Sequence, residues 1–207
     1  MRAPFAAALA LTLFAGGARA ACPTAGLPPG VHCGVKDAAA APGGTYALDP
    51  AHTAVVARYF HIGYSWSVFR FDAPAGTLVW DPADPARDHL DVTVATASIA
   101  TPVKGFAAQI SGDEFLKSAA FPAARFVSRR FVRTGPTRGR IEGDLTLMGR
   151  THPLSFDVDL VGAGPGFGHP RIGIEARASL QPADYGLPPL MTDPIELVID
   201  AEFEKTA

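Results

Sequence analysis

The segment Leu154-Ser155-Phe156-Asp157-Val158-Asp159-Leu160 alternates strictly between apolar and polar residues. Because successive side chains of a β-strand point to opposite faces, its apolar side chains share one face and its polar side chains share the other. A strand with one apolar face must bury that face against a second apolar surface. The segment therefore predicts an antiparallel sheet with one buried face and one solvated face.

The same period of two recurs from Thr45 onward, and clusters of Gly, Pro and Asp mark turns between the repeats. Two stretches instead indicate short helices, at residues 102–110 and 112–117. The pattern predicts an all-β antiparallel fold, either a barrel or a sandwich, with a short helical insertion. Strands are predicted at residues 46–49, 53–61, 76–80, 90–98, 126–132, 141–147, 154–160, 172–180 and 195–203.

The small residues within these strands suggest that the interior is not completely filled. A barrel of about eight strands is just wide enough to be filled by its own side chains or to hold one small ligand. Small residues at inward positions leave room for an apolar cavity, which is a site for an apolar molecule. The candidates for such positions are Ala57, Gly143, Ala176, Ala178 and Ala201.

Composition excludes several classes of protein. The chain has 207 residues, of which 48% are hydrophobic and 18% charged, and it contains 21 Gly and 19 Pro. This apolar fraction is too high for a disordered protein, and the Gly and Pro content is too high for a helical bundle. A net charge of −2 without a block of basic residues indicates no nucleic-acid partner. One globular domain is expected.

The first twenty residues resemble a signal peptide. Arg2 precedes an apolar run at residues 5–14, and Ala18-Arg19-Ala20 has the small-x-small pattern of a cleavage site. Residues 1–20 are therefore expected to be removed on export to the periplasm. The apolar run is too short to cross a bilayer, and no later run reaches that length, so no transmembrane segment is predicted. Lipid attachment at Cys22 is an alternative, although Arg19 occupies a position where that signal requires an aliphatic residue.

The two cysteines, Cys22 and Cys33, are expected to form a structural disulfide in an oxidising compartment. Their spacing differs from the C-x-x-C pattern of redox-active pairs. Residues 21–44 then form an N-terminal arm with this disulfide, and residues 45–207 form the β-domain.

A series of motifs follows one another along the β-domain at spacings compatible with strands. The most specific is Gly143-Asp144-Leu145-Thr146-Leu147-Met148-Gly149-Arg150-Thr151-His152-Pro153-Leu154, in which Gly149 suits a tight turn. The others are Asp49-Pro50-Ala51-His52-Thr53, His61-Ile62-Gly63, Ser98-Ile99-Ala100-Thr101, Phe121-Pro122 and Asp184-Tyr185-Gly186. Together they resemble the YceI-like family, whose members are exported proteins with a lipocalin-like antiparallel barrel.

The resemblance implies a protein that holds a long apolar lipid, of the isoprenoid quinone or polyprenyl type, for transport, storage or sequestration. It implies no enzymatic activity and no cofactor other than a bound isoprenoid lipid as ligand. Six aromatic rings between residues 59 and 71 are candidates for the cavity wall, with ordinary barrel core as the alternative. The predicted ligand-binding residues are Tyr59, His61, Tyr64, Trp66, Phe69, Phe71, Phe106, Phe115, Phe156 and Ile174.

Two other functions are compatible with the sequence. One is a hydrolase or isomerase acting on an amphipathic substrate in the same cavity, with His52 or His61 as the base, although Ser65 and Ser67 lack a nucleophile-elbow motif. The other is a packed structural or envelope-stress protein. A homodimer is compatible with the sequence.

Two further groups of polar residues are candidates for binding sites. The spacing of the histidines predicts no metal site. A stretch rich in arginine at residues 125–140, called the basic stretch, is expected to be a solvated strand face, with contact to an anionic headgroup as the alternative. It comprises Arg125, Arg129, Arg130, Arg133, Arg138 and Arg140.

Overall fold

The computed structural model describes residues 22–23 and 25–206, so the predicted signal segment at residues 1–20 lies outside the described residues. Among the described residues, ten strands and two short helices make up the fold, together with 3-10 turns at Ala38–Ala40, Pro85–Arg87 and Thr96–Ser98. The strands are β1 (Gly44–His61), β2 (Ser65–Phe71), β3 (Pro74–Trp80), β4 (His89–Ala95), β5 (Ile99–Ala100), β6 (Ala123–Arg133), β7 (Arg138–Leu147), β8 (Arg150–Gly164), β9 (Arg171–Leu180) and β10 (Ile195–Lys205). The helices are α1 (Phe106–Ser111) and α2 (Pro182–Tyr185).

Eight of these strands form a closed antiparallel barrel, which confirms the predicted fold class. Around the barrel the order is β1, β3, β4, β6, β7, β8, β9 and β10, and β10 pairs back with β1. The closing pair aligns Tyr46 with Lys205 and Val55 with Ile199. Closure satisfies the backbone hydrogen bonds of the first and last strands, so the barrel has no open edge.

The first strand is longer than the sequence indicates. Residues 46–49 and 53–61, predicted as two strands, belong to the single strand β1, whose register with β10 shifts between Asp49 and Ala54. The early part of β1 pairs with β3, and its later part pairs with β2 in a hairpin that ends at the pair His61 and Ser65. The strand β2 was not predicted.

The helical insertion is confirmed, but it is shorter than predicted. Only α1 forms from the predicted segments at residues 102–110 and 112–117, because Gly105 and Gly112 flank it. Gly105 has a left-handed backbone conformation with φ of 80°. The predicted helix at residues 112–117 is wrong, since this segment folds as turns in which the Lys117 N–H donates to the Gly112 carbonyl at 2.9 Å.

Two of the small residues expected to leave cavity space, Gly143 and Ala178, do not line the open interior. A Cβ atom on Gly143 would lie 2.3 Å from the Val127 carbonyl oxygen and 2.5 Å from the Phe126 ring. The ring of Phe126 therefore occupies the place of the missing side chain, and it packs edge-on against Phe156 with centroids 5.0 Å apart. Ala57, Ala176 and Ala201, in contrast, face open interior space.

The N-terminal arm is attached to the barrel. The predicted disulfide between Cys22 and Cys33 is present, with Cα atoms 6.0 Å apart, so the Cys22 thiol is not free for lipid attachment. Isolated bridges join Val31 to Phe167 and Val35 to Ala163 at the end of β8. Farther along, Ala41 is fully buried in the core. The arm therefore packs against the end of the barrel that lies opposite the β1–β2 hairpin.

No described helix has both the length and the hydropathy that crossing a bilayer requires.

Candidate functional site

The barrel encloses a cavity of about 190 Å³. Its wall is formed by side chains on the inward faces of the strands, and the segments near α1 and α2 contribute Leu116 and Leu187. On β10, Leu197 and Ile199 point inward and yet are only partly buried, because they face this open space. Protein interiors are normally close-packed, so unfilled space of this size is available to a ligand.

The wall of this cavity is apolar even where it contains threonine. The Thr53 hydroxyl donates to the Asp49 carbonyl at 2.7 Å, and the Thr96 hydroxyl donates to the Phe121 carbonyl at 2.8 Å. Because both hydroxyls donate hydrogen bonds to backbone carbonyls, these threonines present their methyl groups to the cavity. Among the described residues that line the cavity, none carries a charged or titratable side chain.

A second cavity of about 100 Å³ lies toward the opposite end of the barrel. The β6–β7 turn, the β3–β4 connection and Ala38 of the N-terminal arm contribute to its wall. One layer of side chains lines both cavities and separates them. This layer consists of Leu90, Ile141, Ile174 and Phe203.

A carboxyl group at the second cavity has an unusual acidity. Asp88 is half-buried there, and burial raises its pKa from 3.8 to about 6, although its carboxylate accepts a hydrogen bond from the Asp81 N–H at 2.6 Å. In the folded protein the protonated form is therefore favoured over a wider range of pH than in the unfolded chain.

Replacing Asp88 with asparagine should stabilise the protein by about 1 kcal/mol at pH 7, a figure that allows for partial screening by water. Because the pKa is raised on folding, the ionised carboxyl costs stability above about pH 6, and this cost disappears as the pH falls below about 4. Denaturant melts of the wild type and Asp88→Asn should therefore differ at pH 7 and converge near pH 3.5. The exposed Asp113→Asn is the matched control, and an equal gain in the control would contradict this assignment.

Three of the predicted binding residues lie in the wall of the larger cavity. Phe71 and Phe156 line it, and Ile174 lies in the layer between the two cavities. Phe69 follows the same inward face of β2 and contacts Phe106 of α1, with ring centroids 5.9 Å apart. These last two rings lie beside the cavity without lining it.

The other predicted residues lie outside the cavity. His61 and Tyr64 are exposed at the β1–β2 hairpin tip, where Tyr64 has a relative exposure of 88%. Trp66 lies on the outer face of the hairpin, where it contacts Phe60 at 5.2 Å between centroids. Tyr59 precedes the tip and Phe115 follows α1, and both are half-buried away from the described lining. The hairpin extends beyond the last pair of β1 with β10, and this extension carries its aromatic residues away from the interior.

Sequence reasoning missed most of the aliphatic wall because it concentrated on aromatic residues. The strand β10 supplies Ile195, Leu197, Ile199, Ala201 and Phe203 to the cavity. The available signal was the alternation of the segment at residues 195–203, which places these five residues on one face.

The motif at residues 49–53 has a structural role at the closure of the barrel. The Asp49 carboxylate accepts hydrogen bonds from His52 Nδ1 at 2.8 Å and from Arg171 Nη1 at 2.6 Å. The hydrogen bond from Arg171 lowers the pKa of Asp49 to about 2. Arg171 of β9 also donates to Glu202 at 3.0 Å and to Glu204, both on β10. One guanidinium therefore links the three strands at the closing seam.

The same group includes side chains that could ligate a metal ion. Ligand atoms of Asp49, His52 and Glu202 lie within 4.8 Å of one another, a convergence that the sequence analysis did not predict. Arg171 already contacts both carboxylates, so a cation there would have to displace its guanidinium. We therefore assign the group to barrel closure. The His52 ring is half-exposed on the outside, and His61 lies at the hairpin tip, so neither proposed base reaches the cavity.

The basic stretch forms ion pairs on the outer surface of β6 and β7. Arg125 pairs with Asp91 of β4, Arg130 pairs with Glu142 at 2.8 Å, and Arg129 lies 3.4 Å from Asp144. Arg138 and Arg140 pair across to Asp159 and Asp157 of β8, and Arg133 donates to the Pro82 carbonyl. Exposed pairs of this kind contribute little stability, and this arrangement agrees with the predicted solvated face.

Comparison with known proteins places this architecture in a family. The model of the YceI-like domain matches residues 46–203, which span the closed barrel apart from the first two residues of β1 and the last two of β10. The chain belongs to the YceI-like family. Protein YceI of Escherichia coli O17:K52:H18 is 34% identical over 137 residues, which are 66% of this chain and 71% of that protein.

Solved structures share the fold of this YceI-like protein. Burkholderia cenocepacia BcnA superposes with a TM-score of 0.68 at 17% identity, covering 75% of this chain and 98% of BcnA. A polyisoprenoid binding domain from Saccharophagus degradans, implicated in plant cell wall breakdown, superposes with a TM-score of 0.58 at 14% identity, covering 78% and 98%. At these identities the likeness establishes the fold of the YceI-like protein and leaves its ligand to the chemistry of the cavity.

Proposed function

We propose that this YceI-like protein is an exported carrier that holds the tail of a long apolar lipid, of the isoprenoid quinone or polyprenyl type, inside its barrel. The observation that carries the proposal is the apolar cavity, whose described lining has no charged or titratable side chain. Such a wall excludes water-soluble ligands, because it offers no partner for their polar groups. The polyisoprenoid binding domain with the same fold supports the choice of lipid.

The energetics favour a flexible hydrocarbon chain. Each CH₂ group removed from water contributes about 0.8 kcal/mol, so a few prenyl units offset the cost of ordering the tail. The larger cavity of about 190 Å³ is only somewhat larger than a cavity of about 150 Å³ that accepts benzene. It therefore accommodates part of a tail, and a longer tail would displace the dividing layer and continue into the second cavity.

The same wall argues for binding without catalysis. Hydrolysis or isomerisation needs an acid, a base or a nucleophile within reach of the substrate. The cavity lining among the described residues supplies none, and His52 and His61 lie outside it. Binding of this kind requires no cofactor beyond the lipid itself. Export to the periplasm is supported by the cleavage-site pattern at residues 18–20 and by the disulfide of Cys22 and Cys33.

Native mass spectrometry of the protein purified from cells tests the carrier function. We expect a bound species of several hundred daltons that solvent extraction removes and that an added isoprenoid quinone or polyprenol restores. A chain that carries no lipid after purification and takes up neither probe would contradict the proposal. Short-chain prenols provide a graded comparison, since affinity should increase with the number of buried prenyl units.

A further inference from the structure

Six of the ten exposed large apolar side chains among the described residues lie on three regions, the β1–β2 hairpin, the approach to α1 and the loop after α2. The other four are Val35, Val79, Val161 and Phe167. Two of the most exposed, Ile62 and Tyr64, have relative exposures of 77% and 88% at the β1–β2 hairpin tip. Val103 precedes α1 with 59%, and Leu190 follows α2 with 75%. We call this set the apolar rim, and it consists of Ile62, Tyr64, Trp66, Val68, Val103 and Leu190.

The apolar rim lies at the end of the barrel to which the larger cavity extends. The last pair between β1 and β10 joins Arg58 to Glu196, and the hairpin continues beyond it. Ile195, the first residue of β10, lines the cavity, and the loop that carries Leu190 leads directly into it. The segment that carries Val103 is held beside the hairpin by the contact of Phe106 with Phe69. The three loops therefore surround one end of the cavity.

The charge distribution along the hairpin favours a lipid surface. Residues 59–69 contain no Asp, Glu, Lys or Arg, in a chain that is 18% charged. Arg58 and Arg70 at the base of the hairpin are neutralised by ion pairs with Glu196 and Asp72, and Lys104 lies next to Val103. Uncharged segments with Trp, Tyr and aliphatic neighbours are typical of segments that insert into the membrane interface.

The shape of the rim also favours lipid over a protein partner. The rim presents side chains on separate protruding loops, whereas a stable protein interface requires a well-packed continuous surface. A bilayer can deform around such points. Extended exposed apolar groups on a soluble protein generally mark an interaction site.

We propose that the apolar rim docks onto the surface of a lipid bilayer, so that the cavity receives its ligand directly from the membrane. This inference rests on the proposed lipid-binding function. Direct docking spares an apolar tail the passage through water, where exposure of each CH₂ group is unfavourable.

Flotation with vesicles of phosphatidylethanolamine and phosphatidylglycerol tests the docking. The wild type should float with the vesicles, and the double variant Ile62→Ser with Leu190→Ser should bind at least about tenfold more weakly, since it removes two apolar anchors. The double variant Val79→Ser with Val161→Ser removes exposed apolar residues of β3 and β8 and serves as the matched control. A wild type that does not float, or a rim variant that floats as well as the control, would overturn the proposal.

A fluorescence measurement locates the contact. Trp66 and Trp80 are the two tryptophans of the chain, so Trp80→Phe leaves Trp66 as the single reporter. On vesicles its emission should shift to shorter wavelength and be quenched by lipids with brominated acyl chains. Unquenched Trp66 in a vesicle-bound protein would show that another surface docks and would overturn the assignment to the rim.

Two controls separate the possible failures. Uptake of a polyprenol from detergent micelles should be the same in the wild type and the rim variant, because Ile62 and Leu190 lie outside the described lining of the cavity. Normal uptake without vesicle binding would overturn the docking and leave the carrier function intact. Vesicle binding without uptake of lipid would instead overturn the carrier function. Analytical ultracentrifugation tests whether a second copy of the chain covers the rim instead. A wild type that is dimeric and does not bind vesicles, together with a monomeric rim variant, would assign the rim to a dimer interface and overturn the docking.

Discussion

Replacing Ala176 with tryptophan is expected to abolish uptake of an isoprenoid lipid while leaving the barrel folded. Ala176 lies in the middle of β9, is 4% exposed and forms part of the wall of the 190 Å³ cavity. An indole at this position would occupy the space that the lipid tail requires. Loss of contact with two CH₂ groups already weakens binding by about tenfold, so displacement of a longer segment should reduce it further.

The measurement is binding of a polyprenol or quinone by native mass spectrometry, with a thermal melt to confirm folding. Overpacking typically costs 1–3 kcal/mol, so the variant should melt at a lower temperature but remain cooperative. The exposed Ala75 on β3 provides the matched control, since Ala75→Trp adds the same side chain to the outer face. Unchanged uptake by a folded Ala176→Trp variant would show that the lipid binds elsewhere.

Replacing Arg171 with methionine is expected to destabilise the protein by about 3 kcal/mol. The Arg171 side chain is only 14% exposed, and it contacts Asp49 on β1 together with Glu202 and Glu204 on β10. Its guanidinium also lies 4.2 Å from the centroid of the Phe167 ring. Removing one partner of a buried ion pair leaves the remaining charges without compensation, and this loss typically costs 3–5 kcal/mol.

The pH dependence of this loss distinguishes an electrostatic cause from a packing cause. Arg171 lowers the pKa of Asp49 to about 2, so the pair contributes its full stability above about pH 4 and loses it as the pH falls toward 2. The difference between wild type and variant in chemical denaturation should therefore shrink over this range. Arg177→Met, on the same strand but 57% exposed, should cost less than about 1 kcal/mol. A large loss in Arg177→Met, or a difference independent of pH, would contradict the assigned role.

The two cavities and the layer between them suggest how one barrel could accept tails of different length. Phe203 is 2% exposed and Ile174 is only partly buried, although both belong to the dividing layer. A side chain with open space on one side has fewer packing contacts to lose when it moves. The dividing layer is therefore the part of the core where a longer ligand meets the least resistance.

The missed strand β2 illustrates a limit of sequence patterns. The segment carries Trp66 and Val68 on its outer face and Phe69 and Phe71 on its inner face, so both faces are apolar and the alternation is obscured. The outer face is apolar where the hairpin extends beyond the barrel, at the surface that we assign to membrane docking. Alternation of apolar and polar residues reveals a strand only when one face is buried and the other is polar. It therefore fails for a strand such as β2, whose two faces are both apolar.

The predicted site residues separate for a related reason. Aromatic side chains are enriched in cores, pockets and exposed interaction surfaces alike, so the residue type did not reveal which of these Phe71 and Tyr64 occupy. The direction of each side chain in the folded barrel assigns Phe71 to the cavity wall and Tyr64 to the exposed tip. The roles of both in ligand binding remain predictions.

The sequence by itself determined the all-β antiparallel class from a period of two and the pairing of Cys22 with Cys33 from a count of two cysteines. The choice of a barrel over a sandwich came from the family resemblance of the local motifs. Only the tertiary structure decided where the interior stays empty and what closes the barrel. Phe126 fills the space above Gly143, whereas Ala176 faces a cavity. Arg171 meets Asp49 across 122 residues of chain. Cavities and ion pairs of this kind depend on which distant side chains meet, and that is fixed when the strands close around a common interior.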